Sequence, residues 1–303
     1  MKIMYFLQSL RAAVFLTFTV FFTAVFSSCN VTGENFWSGD TNVNTRFSGL
    51  LDLSKNDSDI ASFKKISGSY KVLVITDIHE GAHFYSDSSE SSFLDWLDNY
   101  SDKAQIKFCL GLGDFADSAK ESEMKAYAEL VSKIEQKLNG IKVLNVVGNH
   151  DLYASDGYEL YKKYCYPNTS YYKFETGNMV WYALDSGSGT LGSLQRKSLI
   201  SNIQDETKTP VVFSHMPLSK NDCGQFWLPF CFRDTTERSI LLKVFSEKKI
   251  AGYFCGHYHP GGNDTFGNFT QYNNLKSFGA YGKWYILDVD ESSGSIITHQ
   301  YPN

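Results

Sequence analysis

The sequence has no excess of positive charge, the usual mark of a protein that binds nucleic acid. It contains 28 lysine and arginine residues and 33 aspartate and glutamate residues, which give a net charge of −5 at pH 7. Lys2 and Arg11 are the only charged residues before residue 29, so the chain without this stretch carries −7. Because affinity for nucleic-acid backbones depends on clustered lysine and arginine, we expect no bulk nucleic-acid binding. A single nucleotide as a small substrate is compatible with this composition.

Charge is also absent from residues 12–28, which are mostly apolar. A basic stretch followed by such a run is typical of an export signal, so residues 1–28 are predicted to be a signal peptide. Small residues directly before Cys29 resemble a relaxed bacterial lipobox, although Phe26 stands where a leucine-like residue is usual. The alternative is an uncleaved transmembrane helix, since the run reaches the minimum of about 17 residues. Both alternatives place the folded part outside the cytoplasm, on the periplasmic face or cell surface of a bacterium, anchored by lipidated Cys29 or by the apolar segment.

Paired cysteines two to four residues apart, the usual ligands of a structural zinc ion, are missing from the sequence. With Cys29 assigned to a lipid, five of the six cysteines remain, and an odd number leaves at least one thiol unpaired. Cys109 and Cys255 lie in apolar runs and are expected to be buried. Cys223 and Cys231 flank a short loop and are the best candidates for a disulfide.

Composition divides the rest of the chain into two parts. Residues 29–69 are rich in serine, asparagine, aspartate and threonine, which predicts a lipidated cysteine followed by a tether. A globular domain is predicted at residues 70–303, where β-branched apolar runs predict buried strands at residues 71–76, 106–112 and 142–147. Strands alternate with amphipathic helices, and the C-terminal part is rich in strands. This order predicts an α/β fold, a four-layer sandwich of two mixed β-sheets flanked by α-helices.

Polar groups that can bind metal follow five of the predicted strands. Because loops at the carboxyl ends of buried strands converge in α/β folds, residues distant in sequence are expected to meet there. Five of the seven histidines lie in these turns. In chain order the turns are Asp77-Ile78-His79, Gly113-Asp114, Gly148-Asn149-His150-Asp151, Ser214-His215 and Gly256-His257-Tyr258-His259.

This ordered set resembles the calcineurin-like metallophosphoesterase superfamily, whose pattern is D-x-H, G-D, G-N-H-D/E, H and G-H-x-H. All five blocks are present in order, and together they are far more specific than any one alone. The resemblance implies a centre of two divalent metal ions bridged by Asp114. It assigns Asp77, His79 and His259 to one ion, and Asn149, His215 and His257 to the other.

The resemblance also implies which residues act on the substrate. His150 would face the substrate as a catalytic residue without binding either ion, and the bridging Asp114 would be part of the same catalytic centre. Asp77 or Asp151 is expected to orient His150. An imidazole in this position can protonate or stabilise a leaving oxygen.

The residue types in these blocks suit phosphate-ester chemistry for independent reasons. Two cations about 3.5–4 Å apart can neutralise the ester and hold a deprotonated water in line with the leaving group. Imidazole, carboxylate and amide ligands favour Mn, Fe, Zn, Co or Ni over calcium. We therefore expect metal-dependent hydrolysis of phosphate mono- or diesters. The alternative is a lipoprotein that keeps the fold, binds a partner and has no catalytic activity.

Two departures from the pattern narrow the expected substrates. The arginine that resembling serine/threonine protein phosphatases carry after the Gly-Asp block is replaced by Phe115, and Asp151 stands in place of glutamate. The tyrosine of purple acid phosphatases is replaced by Asp117. A small phosphate ester remains, such as a nucleotide, lipid or sugar phosphate. The aromatic and cationic segment 217–235 either covers the site or simply packs onto the fold.

Overall fold

The computed structural model describes residues 39–85, 87–220, 224–225, 228–273 and 277–302. The predicted signal peptide and Cys29 lie outside these ranges. All described residues except Gly39 belong to one compact unit, Asp40–Asn303. Within the described ranges, no helix combines the length and the apolar character that a membrane span requires.

Nine α-helices are present in the described part of the chain. Helix α5 is the longest, and its buried side chains recur at the three- and four-residue steps of an amphipathic helix. The helices are α1 (Gly39–Arg46), α2 (Leu53–Asn56), α3 (Ser58–Ala61), α4 (Asp87–Asn99), α5 (Glu121–Lys137), α6 (Gly157–Tyr164), α7 (Gly192–Gln204), α8 (Thr235–Lys248) and α9 (Phe278–Tyr281).

Fourteen strands form two large sheets and one small hairpin among the described residues. The strands are β1 (Leu51–Asp52), β2 (Ser69–Ile75), β3 (Ile106–Gly111), β4 (Val143–Asn145), β5 (Tyr172–Glu175), β6 (Met179–Ala183), β7 (Thr209–Phe213), β8 (Gly224–Gln225), β9 (Leu228–Pro229), β10 (Gly252–Phe254), β11 (Asn263–Phe266), β12 (Phe269–Tyr272), β13 (Trp284–Asp290) and β14 (Ser295–Tyr301). The seven-stranded sheet has the order β1-β5-β6-β7-β10-β12-β11, and the five-stranded sheet has the order β14-β13-β2-β3-β4.

Both large sheets are mixed. In the five-stranded sheet, β2, β3 and β4 are parallel, whereas β13 pairs antiparallel with β2 and with β14. In the seven-stranded sheet, β6, β7, β10 and β12 are parallel, whereas β5 and β11 are antiparallel to their neighbours β6 and β12. The parallel strands carry the five predicted turns, so all five turns lie at carboxyl ends.

The hydrophobic core has three layers, which gives the molecule its four layers of secondary structure. One layer lies between the sheets and includes Phe108 and Trp181. A second packs helices α4, α5 and α6 on the five-stranded sheet, and a third packs α7 and α8 on the seven-stranded sheet. The predicted sandwich of two mixed sheets flanked by helices is confirmed.

The structure differs from the predicted tether at residues 39–69. This segment forms α1, β1, α2 and α3, and β1 extends the seven-stranded sheet by pairing with β5. Val43, Leu53 and Ile60 are almost completely buried. A few buried apolar residues are enough to attach this polar segment to the fold. The average composition of the segment does not reveal them. The folded part therefore begins well before residue 70.

Cys109 and Cys255 are completely buried, as their apolar surroundings predict. Cys231 is also buried, and the Arg238 guanidinium lies 3.2 Å from its Sγ. Cys223 lies outside the described residues, so the predicted disulfide between Cys223 and Cys231 stays a prediction.

Candidate metal centre

Five loops bring the candidate ligands to one place. Three of them follow β2, β3 and β4 of the five-stranded sheet, and two follow β7 and β10 of the seven-stranded sheet. The site thus forms where loops from the two sheets meet. Asp77, Asp114 and His215 are buried within it, and His257 and His259 are half-buried.

One group of side chains consists of Asp77, His79 and His259. The Nε2 atoms of His79 and His259 are 3.2 Å apart, and Asp77 Oδ1 lies 3.4 Å from His259 Nε2. The Asp77 carboxylate also accepts hydrogen bonds from the Thr76 hydroxyl at 2.7 Å and from the His257 backbone amide at 3.0 Å. These bonds hold the carboxylate in place while Oδ1 points at the imidazoles.

A second group consists of Asp114, His215 and His257, with Asn149 beside them. His215 Nε2 lies 3.1 Å from Asp114 Oδ2 and 3.0 Å from Asn149 Oδ1. The same Asp114 oxygen is 3.7 Å from His79 Nε2 in the first group. Asp114 therefore stands between the two groups, the place that a bridging carboxylate would occupy.

Hydrogen bonding assigns the ring nitrogens of His215. Nδ1 lies 2.8 Å from the carbonyl oxygen of Leu112, which can only accept, so Nδ1 carries a proton and donates. Nε2 is left to face Asp114 and Asn149. An imidazole fixed in this way presents its second nitrogen to a metal ion.

The backbone of this site is strained at the candidate ligands. Asp77, His79, Asp114 and His257 have φ angles of 52°, 56°, 54° and 66°, in the left-handed region that residues with a Cβ seldom adopt. Each such residue costs on the order of 1–3 kcal/mol and persists only where its surroundings enforce it. Such strain concentrates at functional sites.

Two glycines allow the loops to approach each other. A Cβ on Gly148 would lie 2.2 Å from the backbone nitrogen and from Oδ1 of Asp114, and a Cβ on Gly256 would lie 2.5 Å from Asp77 Oδ2. Both distances are impossible for a real side chain. The glycines of the G-N-H-D and G-H-x-H blocks are therefore required for the carboxylates to lie where they do.

His150 lies beside these groups, and its ring is held by neighbours that sequence reasoning did not identify. Nδ1 lies 2.7 Å from the backbone oxygen of Asp117, and Nε2 lies 3.2 Å from the Tyr153 hydroxyl. The expectation that Asp77 or Asp151 orients His150 is wrong. The contact with Asp117 is made by its backbone oxygen, so no residue type in the sequence could have identified it.

Asp151 has a different role, which is to join two loops. Its carboxylate accepts hydrogen bonds from the backbone amides of Asp114, Phe115, Ala116 and Gly148 at 2.8–3.0 Å. The side chain thereby ties the Gly-Asp loop to the G-N-H-D loop. Burial and the Asp114 charge raise the pKa of Asp151 to about 6.

The titratable groups of the site are strongly perturbed. Burial disfavours the charged form of Asp114, but His215 and His150 outweigh it and hold the pKa of this carboxyl well below its ordinary value. Burial alone would lower the pKa of His215, whereas the Asp114 carboxylate raises it to about 9. Burial lowers the pKa of His150. Buried carboxylates facing imidazole nitrogens form an environment suited to cations.

The residues present fit a divalent metal. Two imidazole Nε2 atoms 3.2 Å apart can share at most one hydrogen bond, and a buried carboxylate faces one of them. A metal cation can be coordinated by both imidazole nitrogens and by the carboxylate oxygen at the same time. The cluster could therefore hold a divalent metal ion, and the second group repeats the same carboxylate and imidazole chemistry.

Fold and site together define a two-sheet α/β protein with a candidate metal centre at its strand ends. The family model described as calcineurin-like phosphoesterase matches residues 70–261, which is more than half of the chain. The chain belongs to the calcineurin-like phosphoesterase family. No curated protein sequence is significantly similar to it.

Several solved structures share the fold at low sequence identity. A purple acid phosphatase from yellow lupin seeds superposes with a TM-score of 0.54 and 11% identity, over 78% of this chain and 54% of its own. A dimetal phosphatase from Danio rerio gives 0.51 and 13%, over 78% of this chain and 100% of its own. An anchor protein of the inner membrane complex of Plasmodium gives 0.52 and 11%, over 77% and 89%. The chain spans about half the length of the lupin phosphatase.

Proposed function

We propose that this protein is a metal-dependent phosphoesterase that hydrolyses phosphate mono- or diesters with a dinuclear metal centre outside the cytoplasm. The observation that carries the proposal is the position of Asp114, whose Oδ2 lies 3.1 Å from His215 Nε2 and 3.7 Å from His79 Nε2. One carboxylate oxygen thus faces both groups of imidazoles. A carboxylate shared by two cations reduces their mutual repulsion.

In this proposal each group of side chains holds one ion. The ligands of the first ion are Asp77, His79 and His259, the ligands of the second are Asn149, His215 and His257, and Asp114 serves both. Mixed imidazole, carboxylate and amide ligands favour Mn, Fe, Zn, Co or Ni as the native metals.

Bound ions would neutralise the ester and activate a water molecule for attack on phosphorus. His150 would act on the side of the phosphorus opposite to the attacking water, at the leaving oxygen. Its Nδ1 is fixed to the Asp117 carbonyl, so Nε2, which lies 3.2 Å from the Tyr153 hydroxyl, is the nitrogen left for the leaving oxygen. The negative charge of a phosphate ester favours the imidazolium form, in which Nε2 carries a proton for the leaving oxygen. Asp114 Oδ1 also accepts a hydrogen bond from the His150 backbone amide at 2.8 Å. This bond fixes the backbone of His150 relative to the Asp114 carboxylate.

The substrate is proposed to be a small phosphate ester, such as a nucleotide, lipid or sugar phosphate. Lys220 and Phe230 of the segment 217–235 both contact Tyr258, which stands between the candidate ligands His257 and His259. A cationic and aromatic wall next to the metals suits an ester with an apolar or ring-containing part. Of the other aromatic residues of this segment, Phe232 is buried in the core layer beside the seven-stranded sheet, and Phe226 and Trp227 lie outside the described residues.

The proposed location rests on the N-terminal sequence. Residues 1–28 have the composition of an export signal, and membrane attachment would follow from lipidated Cys29 or from the apolar segment itself. A net charge of −7 beyond this stretch supports a small-molecule substrate over nucleic acid. Globomycin treatment of expressing cells tests the lipid, since accumulation of an unprocessed form indicates lipoprotein processing.

A second candidate function is a binding or anchoring protein without catalysis. The Plasmodium protein that shares this fold is described as an anchor, so the fold serves proteins of both kinds. The two functions differ in one direct observation. A binding protein would hydrolyse no ester under any metal condition.

The test is a hydrolysis screen of purified protein against bis-p-nitrophenyl phosphate, p-nitrophenyl phosphate and a nucleotide panel. The protein is first stripped with a chelator and then supplied with Mn²⁺, Fe²⁺, Zn²⁺, Co²⁺ or Ni²⁺ in turn. We expect no activity without metal and recovery with at least one ion. His257→Ala, which removes a candidate ligand, should not recover activity, whereas His299→Ala should recover like the native protein, because His299 lies on β14 and pairs with Asp288. Full activity of the metal-free protein would overturn the proposal.

A further inference from the structure

The segment before residue 70 lies outside the region that the family model matches, yet it contacts a loop of the candidate site. This loop, residues 184–188, follows β6 and is called here the β6 loop. One side of it faces helix α1, and the other side faces the turns that carry Asn149 and His215. The contacts on the two sides define what the segment does.

Arg46, the last residue of α1, donates three hydrogen bonds to the β6 loop. Its Nε and Nη2 donate to the two carboxylate oxygens of Asp185 at 2.8 Å each, and Nη2 also donates to Ser188 Oγ at 3.1 Å. The two charged side chains are 10% and 3% exposed. A bidentate, buried pair of this kind is short, directional and hard to replace with another partner.

On its inner side the β6 loop supports the second group of candidate ligands. Ser186 Oγ accepts hydrogen bonds from the backbone amides of His215 at 3.2 Å and Met216 at 2.8 Å. Gly187 packs so closely that a Cβ there would lie 2.8 Å from the carbonyl oxygen of Gly148, next to Asn149. The loop therefore touches the turns on both sides of the second group.

Helix α1 is itself fixed in place by a neighbour of the same loop. Asn44 Oδ1 accepts a hydrogen bond from the backbone amide of Leu194 in the first turn of α7, and Gln195 of α7 exchanges two hydrogen bonds with the backbone of Asp185. Val43 is buried. Arg46 thus acts from a helix that is attached to α7, the same helix that binds the backbone of Asp185.

We propose that Arg46 is a positioning residue for the half of the metal centre formed by Asn149, His215 and His257. It holds Asp185, which sets the β6 loop, and the loop sets the backbone on which His215 and Asn149 stand. The inference rests on the proposed function, because it assigns Arg46 a role toward the second metal ion. The N-terminal segment then belongs to the working site and is more than a link to it.

The chemistry of the pair explains why its loss reaches the site. Without the guanidinium, Asp185 is a buried carboxylate left with the Ser170 hydroxyl as its side-chain donor. A buried charge that has lost its partner tends to move toward water. Such a movement would displace the β6 loop and, with it, Ser186.

The experiment measures the affinity of each half of the site for Mn²⁺ separately. His259→Ala leaves the second group of ligands intact, and His257→Ala leaves the first. Calorimetric titration with Mn²⁺ follows the effect of Arg46→Met in each background. We expect about 10–100-fold weaker binding in the His259→Ala background, the usual effect of removing a partner outside the ligand shell, and unchanged binding in the His257→Ala background. Equal effects in the two backgrounds would overturn the proposal.

A matched control and a conservative variant sharpen the result. Lys71→Met removes a lysine whose side chain is 13% exposed and pairs with Asp288 on the neighbouring strand of the five-stranded sheet, away from the β6 loop, so it should leave both affinities unchanged. Arg46→Lys keeps the charge but loses the bidentate geometry. Its Mn²⁺ affinity in the His259→Ala background should lie between that of Arg46→Met and that of the protein with native Arg46.

A second measurement decides the proposal without any metal. Hydrogen exchange of the metal-free protein reports the amides of His215 and Met216, which donate to Ser186. Arg46→Met should accelerate exchange in this peptide, and Lys71→Met should not. If neither background variant binds Mn²⁺, the proposed function fails while this measurement still tests Arg46. Unchanged exchange in Arg46→Met would show that the pair does not position the loop.

Discussion

His150 and the candidate metal ligands share one small site, and the proposal gives them different roles. The ring of His150 is held by Asp117 and Tyr153 and lies close to His79, with which it and Asp117 form a third possible metal cluster. The two groups of candidate ligands hold together without it. Removal of His150 should therefore leave both groups of ligands in place. The opposite holds for Asp114, whose oxygen faces both groups.

We predict that His150→Ala retains metal but loses catalysis in a way that depends on the leaving group. The rate should fall about 10²–10⁴-fold for a poor leaving group such as a nucleoside, and much less for p-nitrophenolate, which needs little protonation. Metal content by mass spectrometry and kcat on both substrates measure this. Asp114→Ala and His257→Ala are the comparison variants and should lose metal. An equal loss on every leaving group would contradict the role assigned to His150.

The pKa of His215 predicts how metal binding depends on pH. Asp114 outweighs burial and raises this pKa to about 9, above the ordinary imidazole value of about 6.5, so the metal-free ring is protonated at pH 7. A metal ion binds the neutral ring, and binding must release the proton. Affinity for Mn²⁺ should rise from pH 7 to about 9 and then level off. Calorimetry in buffers of different ionisation enthalpy counts the released proton, and a pH-independent affinity would contradict the prediction.

Secondary structure elements differ in how visible they are in the sequence. Strands β2, β3 and β4 match the predicted runs because strands buried on both faces are continuously apolar. The hairpin of β11 and β12 was not predicted, since its strands are short and half exposed. The Gly267-Asn268 turn between them is a hairpin signal that could have revealed it.

The site was predictable to a similar degree and for a similar reason. The residue types of the candidate ligands and their order along the five turns are visible in the sequence. They allowed Asp77 and His259 to be assigned to one group although 181 residues lie between them. Contacts made by backbone atoms have no sequence signature. The Asp117 carbonyl that holds His150 and the four amides that bind Asp151 could therefore emerge only from the structure.

The N-terminal elements give a prediction that separates folded structure from a tether. Ile60 of α3 is completely buried, whereas Ile297 of β14 is 59% exposed. Ile60→Ala should lower the free energy of unfolding by about 2–5 kcal/mol, because it leaves a cavity in the core. Ile297→Ala is the same substitution at an exposed position and should change it far less. Urea denaturation measures both, and equal effects would indicate that α3 does not pack as described.

For the whole molecule, the candidate metal centre lies where the two sheets meet, because its candidate ligands come from loops of both. Ions that bind the folded state alone raise its stability, by about 2.7 kcal/mol when the free metal is at 100 times its dissociation constant. We predict a higher unfolding midpoint with Mn²⁺ than with a chelator. Asp114→Ala should remove most of that difference. If Mn²⁺ leaves the unfolding midpoint of the native protein unchanged, bound ions do not connect the two sheets.

The pairing of β1 with β5 has a practical consequence for producing this protein. A recombinant fragment that begins at residue 70, where the family match begins, would lack β1. The backbone of β5 would then be an open edge, and the burial of Leu53 and Ile60 would be lost from the neighbouring core. Open edges beside exposed apolar surface recruit other chains. Such a fragment should precipitate or form inclusion bodies, whereas one that begins at residue 39 should remain soluble.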